Sequence, residues 1–181
     1  MKVLLNLIFL NLFGLLLVSC GGKKWTETAK EDFTIIENKG GQTLGYSPAS
    51  GITLLTVDGF AFKDLNKNGS LDKYEDWRLS VEERAKDLAT QLTIEEIAGL
   101  MLYSAHQSIP ARSRGYFAGT YNGKPYTEGE TDPSDLTDQQ KKFLKEDNLR
   151  HVLLTTVKSP VVAAEWNNKL QAFCEGLGKG I

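Results

Sequence analysis

The run Arg150-His151-Val152-Leu153-Leu154-Thr155-Thr156-Val157 decides the fold class. It is apolar at neighbouring positions, which is typical of a β-strand buried on both faces of a parallel sheet. Pro160 follows and suits the first turn of a helix. The apolar residues of that helix recur every three or four positions, at Val162, Trp166, Leu170, Phe173 and Leu177. A buried strand followed by an amphipathic helix predicts an α/β protein built from repeating units.

The sequence before this strand predicts three further helices. Ser80 with Glu83, and Thr93 with Glu96, place a hydroxyl three residues before a carboxylate, which is the capping-box pattern. Two helices are therefore expected over residues 80–103, with their apolar stripes facing the core. A third helix is expected to open at Thr137 and to run to about residue 147. Residues 104–135 are interrupted by glycine and proline and are expected to be irregular. Their aromatic side chains either pack the loop onto the protein or stack on sugar rings.

The predicted strand at 150–157 requires a parallel neighbour. We expect that neighbour to begin near Ile181, after the last helix. A closed barrel of eight β/α units takes about 250 residues, whereas this chain has 181. The predicted fold is therefore the opening portion of a (β/α)8, TIM-type barrel, incomplete in this chain.

A calcium-loop motif is the strongest chemical signal in the sequence. Residues 64–75 fit the pattern D-x-[DN]-x-[DN]-G-x5-E at every specified position. Calcium takes about six to eight oxygen ligands, and a tight loop supplies them at alternate positions. The predicted ligands are Asp64, Asn66, Asn68, the Ser70 carbonyl, Asp72 and Glu75, with Gly69 at the sharp turn. The predicted cofactor is a structural Ca²⁺ ion, and no organic cofactor is expected. The alternative is a turn rich in Asn and Asp that binds no metal.

Composition and the amino terminus indicate where the protein acts. Lys and Arg total 21 against 23 Asp and Glu, a net charge of −2 that excludes nucleic-acid binding through bulk positive charge. Lys2, the apolar run from residue 3 to residue 18, and Ser19-Cys20 resemble the signal peptide and lipidation site of a bacterial lipoprotein. This predicts an exported protein, lipid-anchored at Cys20 to the bacterial envelope, in the periplasm or at the outer membrane. The alternatives are an ordinary signal peptide with an incidental cysteine, or a retained membrane anchor. Cys174 is expected to be a small core residue.

Four segments follow from these features. Residues 1–19 are predicted to be the lipoprotein signal peptide and residues 20–50 a tether with some local order. Residues 51–79 are the calcium-loop segment, and residues 80–181 begin the barrel domain.

Several stretches, taken together, resemble the amino-terminal region of glycoside hydrolase family 3 lipoproteins of the Bacteroidetes type. The resemblance runs from about residue 44 to the end, through Leu44–Pro48, Phe62–Arg78, Val81–Met101, Asn148–Leu154 and Ala163–Asn168. It implies a β-glucosidase or β-xylosidase that removes terminal β-linked sugars with retention, so a β-linked oligosaccharide is the expected partner. Such enzymes use two carboxyl groups about 5 Å apart. The resemblance places both of them outside this chain, so no catalytic residue is assigned here and the chain alone is expected to be inactive.

Some residues in the sequence could be mistaken for catalytic groups. Asp76-Trp77 looks like the nucleophile dipeptide of the family, but it directly follows the calcium loop, far from the carboxyl end of a barrel strand. His106 and His151 are expected to be structural. Lys158 is expected to be a solvated lysine, with contact to a sugar hydroxyl as the alternative. The alternative for the whole chain is a small calcium-binding surface lipoprotein with a binding or scaffolding role.

Overall fold

A computed structural model of the chain describes residues 22–115 and 118–181. The predicted signal peptide, Cys20, Tyr116 and Phe117 lie outside the described residues. The β-strands are β1 (Trp25–Ala29), β2 (Thr34–Asn38), β3 (Thr43–Tyr46), β4 (Thr53–Val57), β5 (Phe60–Asp64), β6 (Gln107–Ile109), β7 (Thr120–Tyr121), β8 (Lys124–Pro125) and β9 (Leu154–Val157). The helices are α1 (Val81–Gln91), α2 (Ile94–Leu100), α3 (Asp138–Glu146) and α4 (Pro160–Glu175), with a 3₁₀ turn at Pro48–Ser50.

The segment predicted as a tether is largely a folded sheet. Strands β1, β2 and β3 pair antiparallel in chain order. Within β2, Thr34, Ile36 and Asn38 are buried while Glu37 is exposed, so alternate residues face the core. The tether prediction is wrong for this stretch because five-residue strands give only a weak alternating signal, and polar residues hide it.

A hairpin of β4 and β5 packs against this first sheet and ends in the predicted calcium loop. The hairpin turns at Asp58 and Gly59, whose φ angles of 54° and 85° are those of a tight two-residue turn. Asn38 joins the two sheets, because its amide donates to the Ala61 carbonyl at 3.2 Å and its Oδ1 accepts from the Ala61 N–H at 2.7 Å. Trp77 stacks on Phe62 with ring centroids 5.2 Å apart and closes this small core.

Both predicted capping boxes before α1 and α2 are present, at Ser80 with Glu83 and at Thr93 with Glu96. The prediction that the apolar stripes of these helices face the core is wrong. Helix α1 has no buried residue, and the most exposed apolar side chains are Val81 (73%), Ile94 (80%) and Met101 (80%). Helical periodicity identifies the apolar side of a helix, but a second surface must cover it, and within residues 22–115 and 118–181 that cover is only partial, at Leu88 and Leu92.

The helices α3 and α4 agree with the prediction. Thr137 caps α3, and Pro160 occupies the first turn of α4. Trp166 is 2% exposed and donates from Nε1 to Gln140 at 3.2 Å, which links the two helices inside the main core. That core contains Ile109, Leu136, Leu144, Val162, Trp166 and Cys174. Cys174 is a buried free thiol, as expected, and burial raises its pKa.

The parallel neighbour of β9 precedes it in the chain. Strand β6 pairs with β9, and an isolated bridge between Tyr103 and His151 extends the pairing. The expectation that the required parallel neighbour begins near Ile181 is therefore wrong, because a three-residue strand inside the glycine- and proline-rich region gave no periodic signal. The prediction that β9 is buried on both faces is also wrong, since three of its four residues are exposed, Val157 among them at 40%.

The described residues form four small sheets with helices between them, and they contain no closed barrel. The prediction of mixed α/β structure is confirmed, and the opening of a barrel stays a prediction. In the same part of the chain, no helix combines the length and apolar character needed to cross a bilayer.

Candidate functional site

The predicted calcium loop begins at the end of β5, where Asp64 is only 2% exposed. Its Oδ1 accepts from the Asn68 N–H at 3.0 Å, and its Oδ2 accepts from the Gly69 N–H at 3.0 Å and from the Thr53 hydroxyl at 3.2 Å. These bonds turn the loop back on its first residue. Lys67 and Gly69 have φ angles of 60° and 76°, and the glycine adopts this left-handed conformation without a side-chain clash.

Glu75 closes the other side of the loop and is 4% exposed. Its Oε1 accepts from the backbone N–H groups of Leu65 and Asn66 at 2.7 and 3.2 Å, and its Oε2 accepts from the Asp72 N–H at 3.0 Å. Burial raises the pKa of Glu75, and the three backbone hydrogen bonds oppose that rise. Burial, together with the charge of Glu75, also raises the pKa of the neighbouring Tyr74.

The middle of the loop is held by side-chain amides. The Nδ2 atoms of Asn66 and Asn68 donate to Oδ2 of Asp72 at 2.6 and 2.8 Å. The Oδ1 of Asn68 accepts from the Ser70 N–H at 2.7 Å. All six predicted ligand residues therefore lie in one closed loop.

The donors of this loop are hard oxygens, which is the chemistry that Ca²⁺ prefers. Within residues 22–115 and 118–181, however, no three acidic, histidine or cysteine side chains are arranged to hold a metal ion. Asp72 is engaged by the two asparagine amides, so a complete calcium shell needs the amide oxygens and the Ser70 carbonyl as well as the carboxylates. When these amide and carbonyl oxygens are included, the residue types of the loop fit a Ca²⁺ ion.

The loop is attached to the carboxyl end of α4. Lys67 donates to the carbonyls of Ser50 and Gly176 at 3.2 and 3.1 Å. The Tyr74 hydroxyl donates to the Lys179 carbonyl at 3.1 Å. The partners Gly176 and Lys179 were not predicted, because a contact spanning more than a hundred residues leaves no local signal in the sequence.

An ion pair between Lys63 and Glu175 strengthens the same attachment. The two side chains are 13% and 7% exposed, so the pair is largely removed from water. Gln171 also donates to Glu175, at 3.1 Å. Strand β5 is thus fixed to α4 immediately before the loop begins.

Asp76 has a structural role in this geometry. Arg78 donates to both of its carboxylate oxygens, from Nε at 2.9 Å and from Nη2 at 2.7 Å, and also binds Asp58 at 2.8 Å. The hydrogen bonds from Arg78 lower the pKa of Asp76. This arrangement accords with leaving Asp76-Trp77 out of the catalytic assignment.

A groove of about 880 Å³ lies between the first sheet and α4. The turn after β1 and the end of β3 line one wall, with Tyr46 contributing its ring, and α4 lines the other with Asn168 and Lys169. Lys169 binds Asp132 at 2.6 Å and Asp135 at 2.7 Å. Its hydrogen bond is the largest cause of the drop in the pKa of Asp132 to about 2. The sequence did not predict this groove, because its walls come from segments more than eighty residues apart.

The remaining polar residues singled out in the sequence lie elsewhere. Lys158 forms a surface ion pair with Glu128 at 2.5 Å. His151 pairs through its backbone with Tyr103, beside β9. The structure does not bring either residue to the calcium loop or the groove.

Comparison with known proteins relates the chain to a glycosidase. It is 38% identical over 133 residues to a protein described as a periplasmic beta-glucosidase/beta-xylosidase, from Dickeya chrysanthemi. The match covers 72% of this chain but only 18% of that protein. No family model matches the chain.

Proposed function

We propose that this chain is the amino-terminal part of a retaining β-glycosidase of glycoside hydrolase family 3. The full enzyme would act on terminal β-linked glucosyl or xylosyl residues. The observation that carries the proposal is the 38% identity over 133 residues to a periplasmic beta-glucosidase/beta-xylosidase. The order of the sequence blocks described above is consistent with it. Because the match spans only about a fifth of that relative, the glycosidase activity is itself part of what we propose.

The catalytic pair of carboxylates is assigned to sequence beyond this chain. The acidic residue that most resembles a family nucleophile, Asp76, has both carboxylate oxygens bound by Arg78. A nucleophile must present a free carboxylate to the sugar carbon, so this geometry supports a structural role for Asp76.

An activity assay tests the proposal. The 181-residue chain and the protein read from the extended gene are assayed on aryl β-glucosides and aryl β-xylosides. We expect turnover from the extended protein and none from the 181-residue chain. Turnover by the 181-residue chain would contradict the assignment of the carboxylates, and an inactive extended protein would contradict the glycosidase function.

We further propose that residues 64–75 bind one structural Ca²⁺ ion. The ligands would be Asp64, Asn66, Asn68, the Ser70 carbonyl, Asp72 and Glu75. The ion would neutralise the charge on the buried carboxylates and hold the loop closed. Because only three of the ligands are charged, we expect a dissociation constant of about 10⁻⁴ M or tighter, as in extracellular modules. Titration calorimetry of metal-free protein measures it, and the absence of heat at millimolar Ca²⁺ would rule the site out.

This loop also favours a second candidate function, a small calcium-binding surface lipoprotein with a scaffolding role. The observation in its favour is that all six predicted ligands lie in one closed loop. DNA sequencing beyond codon 181 separates the two candidates. Continuation into further β/α units supports the glycosidase, and an immediate natural stop codon supports the scaffold.

The cellular location is part of the proposal. Export is supported by the periplasmic relative. Lipidation at Cys20 rests on the sequence around the cysteine. Intact mass spectrometry of protein extracted from cell envelopes tests it, since a processed, lipidated chain differs in mass from the unprocessed chain.

A further inference from the structure

One end of the first sheet carries three lysines. Lys23 and Lys24 precede β1, and Lys39 follows β2. The Lys39 N–H donates to the Lys24 carbonyl at 2.7 Å, so the two chain segments lie side by side. All three side chains are exposed, and none of them forms an ion pair with another described residue.

Aromatic rings position two of these ammonium groups. The Nζ of Lys23 lies 3.5 Å from the ring centroid of Trp25, and that of Lys24 lies 4.7 Å from the centroid of Phe60. Cation–π contacts of this kind hold a charge in place while leaving it accessible to solvent. Asp58, in the turn joined to Lys24 through the Gly59 carbonyl, is already paired with Arg78 at 2.8 Å.

The opposite end of the sheet has the opposite charge. The turn between β1 and β2 carries Lys30, Glu31 and Asp32, a net charge of 1 − 2 = −1, and its two acidic residues line the groove beside α4. A strand rises about 3.3 Å per residue, which puts this turn about 20 Å from Lys24. The sheet is therefore electrically polarised along its strands.

The lysine end is also the end nearest to the predicted lipidation site. Lys23 is three residues after Cys20, and three residues span at most about 10 Å. This is close to the screening length of about 8 Å at physiological ionic strength. Salt would therefore screen only part of the attraction between the lysines and an anionic membrane surface at Cys20. Each lysine is expected to increase partitioning onto that surface by about fivefold.

We propose that the end of the first sheet formed by Lys23, Lys24 and Lys39 docks on a bilayer containing anionic phospholipid. The Trp25 ring lies beside these charges, and tryptophan favours the headgroup region. Docked in this way, the acidic turn and the groove face away from the membrane. The inference rests on the proposed lipidation of Cys20 for its biological setting, but the lysine end can be tested without the lipid.

Vesicle partitioning tests the proposal. The full chain is titrated with phosphatidylcholine vesicles, with and without phosphatidylglycerol, at low and high salt. The test variant is Lys23→Glu/Lys24→Glu/Lys39→Glu. The matched control is Lys86→Glu/Lys124→Glu/Lys145→Glu, which changes the charge equally at exposed lysines elsewhere. The apolar segment at residues 3–18 is present in the wild type and in both variants, so it does not contribute to the difference between them. Circular dichroism checks that each variant is folded.

We expect the test variant to lose about a hundredfold or more in partitioning into the anionic vesicles. The control should lose far less, and high salt should remove the difference. Equal partitioning of the wild type and the test variant, or equal losses in both variants, would overturn the proposal. Envelope mass spectrometry reports on lipidation separately. An unlipidated chain that still shows the lysine effect would reject the anchor, whereas a lipidated chain without the effect would reject the docking surface.

Discussion

Lys67, in the middle of the predicted calcium loop, donates a 3.1 Å hydrogen bond to the carbonyl oxygen of Gly176 at the end of α4. The two residues are 109 positions apart in the chain. The cap of α4 and the shape of the loop therefore depend on each other. The nearby ion pair of Lys63 and Glu175 also connects this region to α4, from the end of β5 just before the loop.

The ion pair between Lys63 and Glu175 should behave as a buried pair. Lys63→Met leaves the Glu175 carboxylate buried without its cation, and we expect a loss of about 3 kcal/mol in the free energy of unfolding. The double variant Lys63→Met/Glu175→Leu removes both charges and should recover most of that loss. Urea denaturation of the wild type, both single variants and the double variant gives the coupling energy. Additive losses would show that the two charges do not interact.

The bond between Asp76 and Arg78 should make stability depend on pH. Asp76→Asn should cost about 1–3 kcal/mol near neutral pH, because charge-assisted hydrogen bonds from Arg78 are weakened. The pKa of Asp76 is lowered in the folded protein. Its contribution is therefore present above the unfolded value of about 3.9 and is lost as the pH falls through the lower folded value. Urea unfolding at a series of pH values should show the variant and the wild type converging in acid. A difference that stays constant down to the lowest pH would contradict this.

Calcium should raise the melting temperature of the chain through Glu75. With a dissociation constant of about 10⁻⁴ M, a free Ca²⁺ concentration about 100-fold above that constant adds about 2.7 kcal/mol to the free energy of unfolding. This corresponds to a rise of several degrees in melting temperature for a domain of this size. Glu75→Gln should abolish most of the shift, whereas Glu82→Gln on the exposed side of α1 should retain it. Differential scanning calorimetry with and without chelator measures both. Equal shifts in the two variants would place calcium binding elsewhere.

The cap of α3 should matter more than the cap of α1. Thr137 is 2% exposed and its capping partner Gln140 is fully buried, whereas Ser80 caps a helix with no buried residue. We expect Thr137→Ala to cost about 1–2 kcal/mol and Ser80→Ala to cost about 0.5 kcal/mol. Chemical denaturation of the two variants ranks them. A larger loss for Ser80→Ala would indicate that α1 is packed more tightly than the structure shows.

Features encoded by neighbouring residues were predictable. The two predicted capping boxes, the start of α3 at Thr137 and the proline at the start of α4 each involve residues within one helical turn, so the sequence shows them directly. The closure of the loop at residues 64–75 belongs to the same class, because the hydrogen bonds between residues within the loop join positions at most ten apart.

Features that depend on distant partners were not predictable. Strand β6 has three residues, and its pairing with β9 is evident only in three dimensions. The apolar stripe of α2 is evident in the sequence, but periodicity does not say what covers it, and Ile94 is 80% exposed. The same limit applies to Lys67 and Glu175, whose roles come from segments that meet only after folding.

The contact between Lys67 and Gly176 has a consequence for biosynthesis. A nascent chain cannot complete this attachment of the loop until Gly176 has left the ribosome. The loop and the strands before it thus emerge more than a hundred residues before the helix end that supports the loop.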